Sequence, residues 1–232
     1  MVPTGQRFAG HATAAGLLLT VAIAGCSSAT HKTHSALPAF CSQEHSAAEC
    51  VVADGGRFAV AILKPLTSST EKVGVSLGNT VTSSLDRIGR LLPGPQTNIL
   101  MADGTQVVPH TGVNGVTDPG SGQVQILLDI QQAPSALRRS VSTWLLQALA
   151  HEVDHSVRIE AGPGCWPTLL DQRICEGMSS AFDIQVEPTI QLPWFRALTA
   201  GQERAMWSRA HPLLNKTGLY DSGSLAAEAS LT

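Results

Sequence analysis

Aromatic residues make up only 4% of this 232-residue chain, with a single tyrosine, so a core must be built from Leu, Val, Ile and Ala. Charged residues are equally sparse at 14%, against the usual quarter of a globular chain. The net charge is −3, and no Lys/Arg cluster interleaved with aromatics occurs. That excludes the electrostatic footprint of a nucleic-acid binder. No cysteine pair has the C-x2-C spacing of a zinc knuckle. No internal repeat occurs either, which removes solenoids and propellers.

What is present begins with an export signal. Arg7 and His11 precede the apolar run "TAAGLLLTVAIAGC", which is too short for a comfortable membrane span and ends in small residues. Ile23-Ala24-Gly25-Cys26 looks like a bacterial lipobox, so residues 1–25 read as a lipoprotein signal peptide and Cys26 as the lipidated residue. Lipidation would tether the chain to a membrane on the extracytoplasmic side without inserting it. Residues 26–40, small and polar with His31 and His34, read as a flexible linker. Residues 41–216 form the expected domain, and 217–232 a Gly/Ser/Ala-rich tail. An oxidising compartment favours disulfides among Cys41, Cys50, Cys165 and Cys175. Of the three possible pairings, neighbours in sequence are the simplest: Cys41 with Cys50, Cys165 with Cys175.

Within the domain, 57–66 reads as a strand. Val73, Leu77, Val81, Leu85, Ile88 and Leu92 recur at helical spacing across 69–94, stopped by Pro93 and Gly94. Residues 97–102 and 123–130 read as strands, and 103–122 as a Gly/Pro/Asn-rich loop with room for a hairpin. Helices are expected over 135–160, 168–186 and 199–210. The class is α+β: a small mixed sheet packed on a central helix, with further helices C-terminal to it.

The central helix carries "HEVDH". At 100° per residue, His151 and His155 share a face within reach of one ion, with Trp144, Ala148 and Ile159 beside them. Leu146, Leu149, Val153 and Val157 form an apolar stripe opposite, so the helix is expected to pack on a core and line a cleft. Zinc would satisfy both imidazoles, and Glu152 would serve as general base. A catalytic zinc needs a third protein ligand. The extended pattern that adds a glycine and a third histidine fails, since Arg158 and Ala161 stand at those places. Glu176, 21 positions past His155, leaves room for a turn and a returning helix, and is the expected ligand. Glu160 is too close, Glu187 lies past that helix, and Asp171 and Asp183 stand in reserve.

The segments "HEVDHSVR", "CEGMSSAF" and "LPWFRALT", in that order, resemble the bacterial family of predicted zinc-dependent proteases of the thermolysin-like kind, over roughly residues 140–215. The resemblance implies a zincin-like fold, His151, His155 and Glu176 as zinc ligands, Glu152 as catalytic base, and a peptide or protein substrate. The family tends to carry Asp four residues after the ligand glutamate. Ser180 stands there, and Asp183, on the same helical face, is the substitute on offer. A substrate backbone is expected to pair with an edge strand at 123–130. His211 and Tyr220 are candidates for stabilising the transition state. His45 and His110 read as surface residues, and Trp144, Trp166, Trp194 and Trp207 as core. The alternative is a zinc-binding or substrate-holding lipoprotein without hydrolytic activity.

Overall fold

The computed structural model describes residues 39–44, 46–162, 164–165, 167–191 and 197–217. Expectations about the export signal, Cys26, the linker, the tail, His45, Trp166, Trp194 and Tyr220 lie outside the described residues.

The fold is mixed α/β, with a five-stranded sheet and several helices. A short helix α1 (Ala39–Gln43) leads into β1 (Ala47–Ala53), which pairs antiparallel with β2 (Phe58–Leu63). Asp54-Gly55-Gly56 forms the turn, all three at positive φ, a conformation that glycine adopts freely. β3 (Thr97–Asp103) runs parallel to β2, and β5 (Val124–Leu128) parallel to β3. β4 (Val113–Thr117) closes the sheet antiparallel to β5, giving the order β1-β2-β3-β5-β4.

Alternation along the strands fixes the core face. Val51, Ala53, Val60, Ile62, Ile99, Met101, Val124, Ile126 and Leu128 point into one buried cluster. Helix α2 (Lys64–Lys72) and α3 (Leu77–Leu91) contribute Leu66, Leu77, Val81, Leu85 and Ile88 to it. Cys50 lies on the opposite face of β1, where its disulfide with Cys41 (Cα–Cα 5.9 Å) ties α1 to the sheet.

The core stripe expected across 69–94 is buried, but it belongs to two helices. Gly74, at φ 72°, ends α2: its N–H donates to the Glu71 carbonyl, and the next N–H, of Val75, to that of Thr70. Strand 57–66 likewise yields its last residues to α2. β1 had no counterpart in the sequence reading.

The edge strand also differs. β5, within the 123–130 expectation, lies inside the sheet, and the edge is β4, from the segment read as loop. Asn114 and Gly115 interrupt the strand propensity of β4. Position and tertiary contact hold it instead, as described below.

The long helix comprises α4 (Pro134–Arg139), a π-helical turn over Ser140–Trp144, and α5 (Leu145–Ala161). Leu145, Leu149 and Val153 of α5 enter the core. α6 (Leu169–Val186) packs against α5, opened by a capping box in which Thr168 and Asp171 satisfy each other's backbone N–H groups. α7 (Ala200–Ala210) follows. Its Trp207 is 57% exposed, against the expectation of core packing. Among the described residues no helix is long and apolar enough to cross a membrane.

Candidate metal centre

α5 presents His151, Glu152 and His155, and α6 presents Glu176 opposite them. His151 Nε2 lies 3.1 Å from both His155 Nε2 and Glu176 Oε2, and His155 Nε2 lies 3.5 Å from that same oxygen. Ligands 2.0–2.1 Å from a tetrahedral zinc stand roughly 3.3 Å apart. The three atoms therefore match one face of such a tetrahedron, and the donor set of two imidazoles and a carboxylate suits the ion.

The opposite ring nitrogens are engaged, which aims both Nε2 atoms toward the same point. His151 Nδ1 faces Asp183 Oδ2 at 3.1 Å, so Asp183 fills the orienting position that Ser180 leaves open. His155 Nδ1 faces Ser179 Oγ at 3.3 Å, and that hydroxyl donates to Asp154 Oδ2 at 2.8 Å. Arg158 clamps the Asp154 carboxylate through two hydrogen bonds of 2.6 and 3.1 Å. Ser179 and Asp154 are buried support that the sequence reading did not single out. The available signal was a small polar residue three positions after Glu176, facing the "D" of HEVDH.

The electrostatics are those of a tightly coupled site. Burial pulls the His151 imidazole down, but hydrogen bonds to Asp183 and Glu176 outweigh it and hold its pKa up at about 10. Burial pushes Glu176 up, yet hydrogen bonds with His151 and His155 keep it well below the usual carboxylate range. Burial pushes Asp183 up against its bond to His151.

Glu152 is 7% exposed and sits beneath β4. Thr117 Oγ1 donates to its Oε2 at 2.7 Å, leaving Oε1 clear of that bond. A Cβ on Gly115 would lie 2.3 Å from Glu152 Cγ, so only glycine lets β4 pass this close. Ser156 Oγ donates to the Gly122 carbonyl at 2.7 Å, pinning the β4–β5 hairpin to α5. Burial pushes the Glu152 carboxyl up, opposed by the Thr117 bond.

These groups line a cleft of about 1120 Å³ between β4, α5 and α6. Trp144, Ala148 and Ile159 line it too, as their shared face with the histidines implied. Trp144 also packs on the core. His211 is not brought there: it lies exposed on a single 3-10 turn, its ring 5.6 Å from that of Trp207. His110 is exposed. Of the reserve ligands, Asp171 caps α6 and Asp183 supports His151, while Glu187 pairs with Arg87 at 2.8 Å.

Cys165 and Cys175 pair as neighbours in sequence suggested, with Cα–Cα 5.4 Å, anchoring the chain just before Glu176. Their sulfurs approach His155 Nδ1 at 3.5 and 3.4 Å. His155, Cys165 and Cys175 thus also form a buried group that could hold a metal ion. Joined to each other, however, the sulfurs present no thiolate, so the group requires reduction. The His151–His155–Glu176 set has no such requirement. No family model, curated protein or solved structure matches the chain.

Proposed function

We propose that this chain is an exported, membrane-tethered zinc metallopeptidase of zincin-like fold. The observation that carries the reading is the triangle of His151 Nε2, His155 Nε2 and Glu176 Oε2, with the buried, non-ligating Glu152 beside it. A site that only stores metal gains nothing from that extra carboxylate.

Bound by the three ligands, zinc supplies Lewis acidity that acidifies water and polarises a carbonyl. The residues do the rest. Glu152, fixed by Thr117, accepts a proton from the attacking water at Oε1. The water oxygen bonds to the scissile carbonyl carbon, the C–N bond breaks, and Glu152 returns the proton to the departing amine. Asp183 and Ser179 hold the ligand rings in place. The outer side of β4 offers unpaired backbone groups to an extended substrate, which fits a peptide or protein lying across the cleft mouth. The lipobox-like segment supplies the tether.

The test is the zinc-loaded soluble chain, starting at Ser27, incubated with a diverse peptide mixture read by mass spectrometry. Cleavage by the wild type, lost by about a thousandfold in Glu152→Gln with zinc retained, is the expected result. Unchanged cleavage in Glu152→Gln contradicts it. A second reading is a zinc-holding lipoprotein without hydrolysis, supported by the approach of Cys165 and Cys175 to His155. It predicts tight zinc binding only after a thiol reductant has opened the disulfide.

A further inference from the structure

α6 turns one face to the cleft: Arg173, Glu176, Ser180 and Asp183 recur at helical spacing and all line it, while Ile174 and Met178 between them do not. Glu176 and Asp183 on this face are turned to His151 and His155. Glu152, in the opposite wall, accepts from Thr117. Arg173 serves none of these groups. Its side chain is exposed, and the ion pairs of arginines among the described residues involve Arg57, Arg87 and Arg158 instead. Asp171, two residues before it, is taken up by the Thr168 cap. A guanidinium stays charged at any physiological pH. Arg173 is therefore the one permanent cation among the described residues that line the cleft, and water can leave it when a ligand arrives.

Resting on the peptidase reading, we propose that Arg173 is a specificity-determining residue that binds a carboxylate of the substrate close to the scissile bond. The carboxylate is an Asp or Glu side chain or the free C-terminus of a peptide. Both present the same two oxygens, and a guanidinium binds them through two parallel N–H donors. The register follows from helix geometry. Arg173 stands three residues before Glu176, about 4.5 Å along α6, and an extended peptide advances about 3.3 Å per residue. The long side chain thus reaches a group about one to three residues from the scissile carbonyl. Glu152, Glu176 and Asp183 repel an incoming anion, so an acidic substrate needs a cation set apart from them, and Arg173 on the same cleft wall supplies it. A basic side chain at that place would meet like charge.

The test maps cleavage by the zinc-loaded chain in matched octapeptide libraries of uncharged residues. One library is capped at both ends, one is the same with a single Gln replaced by Glu, and one is the first with its C-terminus left free. Mass spectrometry gives each cut and its distance from the carboxylate. Expected is an excess of about 5- to 20-fold of cuts at one fixed distance from the carboxylate, and the library that shows it identifies the source as side chain or terminus. Arg173→Gln should remove the excess at unchanged zinc content, and Arg173→Glu should transfer it to a library carrying Lys in place of Glu. Equal cleavage of all the libraries, or an excess that survives Arg173→Gln, overturns the carboxylate site and leaves the peptidase reading standing. If no library is cut, the peptidase reading fails instead. Arg173 is then decided by titrating the isotope-labelled chain with the same peptides. A shift of the Arg173 Nε–H resonance that is larger with a Glu-bearing or free-C-terminus peptide than with its capped Gln counterpart upholds carboxylate binding, and equal or absent shifts overturn it.

Discussion

Around His151 and His155 both outer ring nitrogens are engaged: Asp183 holds one, and Ser179, backed by Asp154 and Arg158, holds the other. One turn upstream on the same helix, Gln147 and Trp144 leave three buried polar atoms with none. The first arrangement suits groups that must not move, because both outer ring nitrogens have their partners in place in advance, although Asp183 Oδ1 is itself without one among the described residues. The second keeps its polar atoms buried, out of contact with the open cleft. One face of the helix thus carries the candidate metal-binding groups, while its opposite face anchors them in the core through Leu145, Leu149 and Val153.

The comparison is broken most severely at Asp183. Asp183→Asn keeps shape and a hydrogen bond but removes the carboxylate from His151 Nδ1, and zinc affinity is expected to fall about 10- to 100-fold in competition with a chromogenic chelator. A neutral replacement at Gln147 (Gln147→Leu), outside the metal support, is expected to leave zinc affinity within about threefold. Equal losses at both positions would erase the division.

A second effect follows from charge. With its pKa raised from 6.5 to about 10 by Asp183 and Glu176, His151 in the metal-free protein holds a proton at neutral pH. The ion pair's contribution to stability is therefore full below about 6.5 and is lost as pH rises through about 10. Zinc must expel that proton, so binding at pH 7 to 9 should release about one proton from His151, and apparent affinity should rise about tenfold per pH unit over this window. Calorimetry in buffers of different ionisation enthalpy measures the release. Buffer-independent heats would show His151 already neutral.

The smallest expected change is at Thr117. Thr117→Val removes the hydroxyl from Glu152 at constant shape. We expect unchanged zinc content, a loss of about 1 kcal/mol in stability by urea unfolding, and turnover reduced about tenfold with KM unaffected. A rise in KM alone would assign Thr117 to substrate contact instead.

Much of this site was legible because helical geometry is short-range. The i,i+4 spacing places His151 and His155 together, and the same count carries Glu176 to Asp183 on one face of α6. The gap from His155 to Glu176 leaves room for a turn and a returning helix, which the Cys165–Cys175 link then holds. What escaped depends on partners distant in sequence. Asn114 and Gly115 break the strand pattern of Val113–Thr117, and the glycine is there because a side chain would collide with Glu152, a demand visible only once α5 lies beneath β4. Gly74 breaks a stripe whose apolar period continues across it, since both helices face the same core. His211 looked available because it follows Glu176 in sequence, but a solitary 3-10 turn leaves it on the surface against Trp207.

The central claim is that HEVDH and Glu176 form one metal site. The direct measurement is zinc per chain, by atomic emission, on the soluble protein starting at Ser27 together with His155→Ala and Glu176→Ala, all under non-reducing conditions. The account predicts one tightly held zinc in the wild type and none in either variant, with all three folded by circular dichroism. A folded wild type that takes up no zinc, or a Glu176→Ala variant that holds it undiminished, would contradict it.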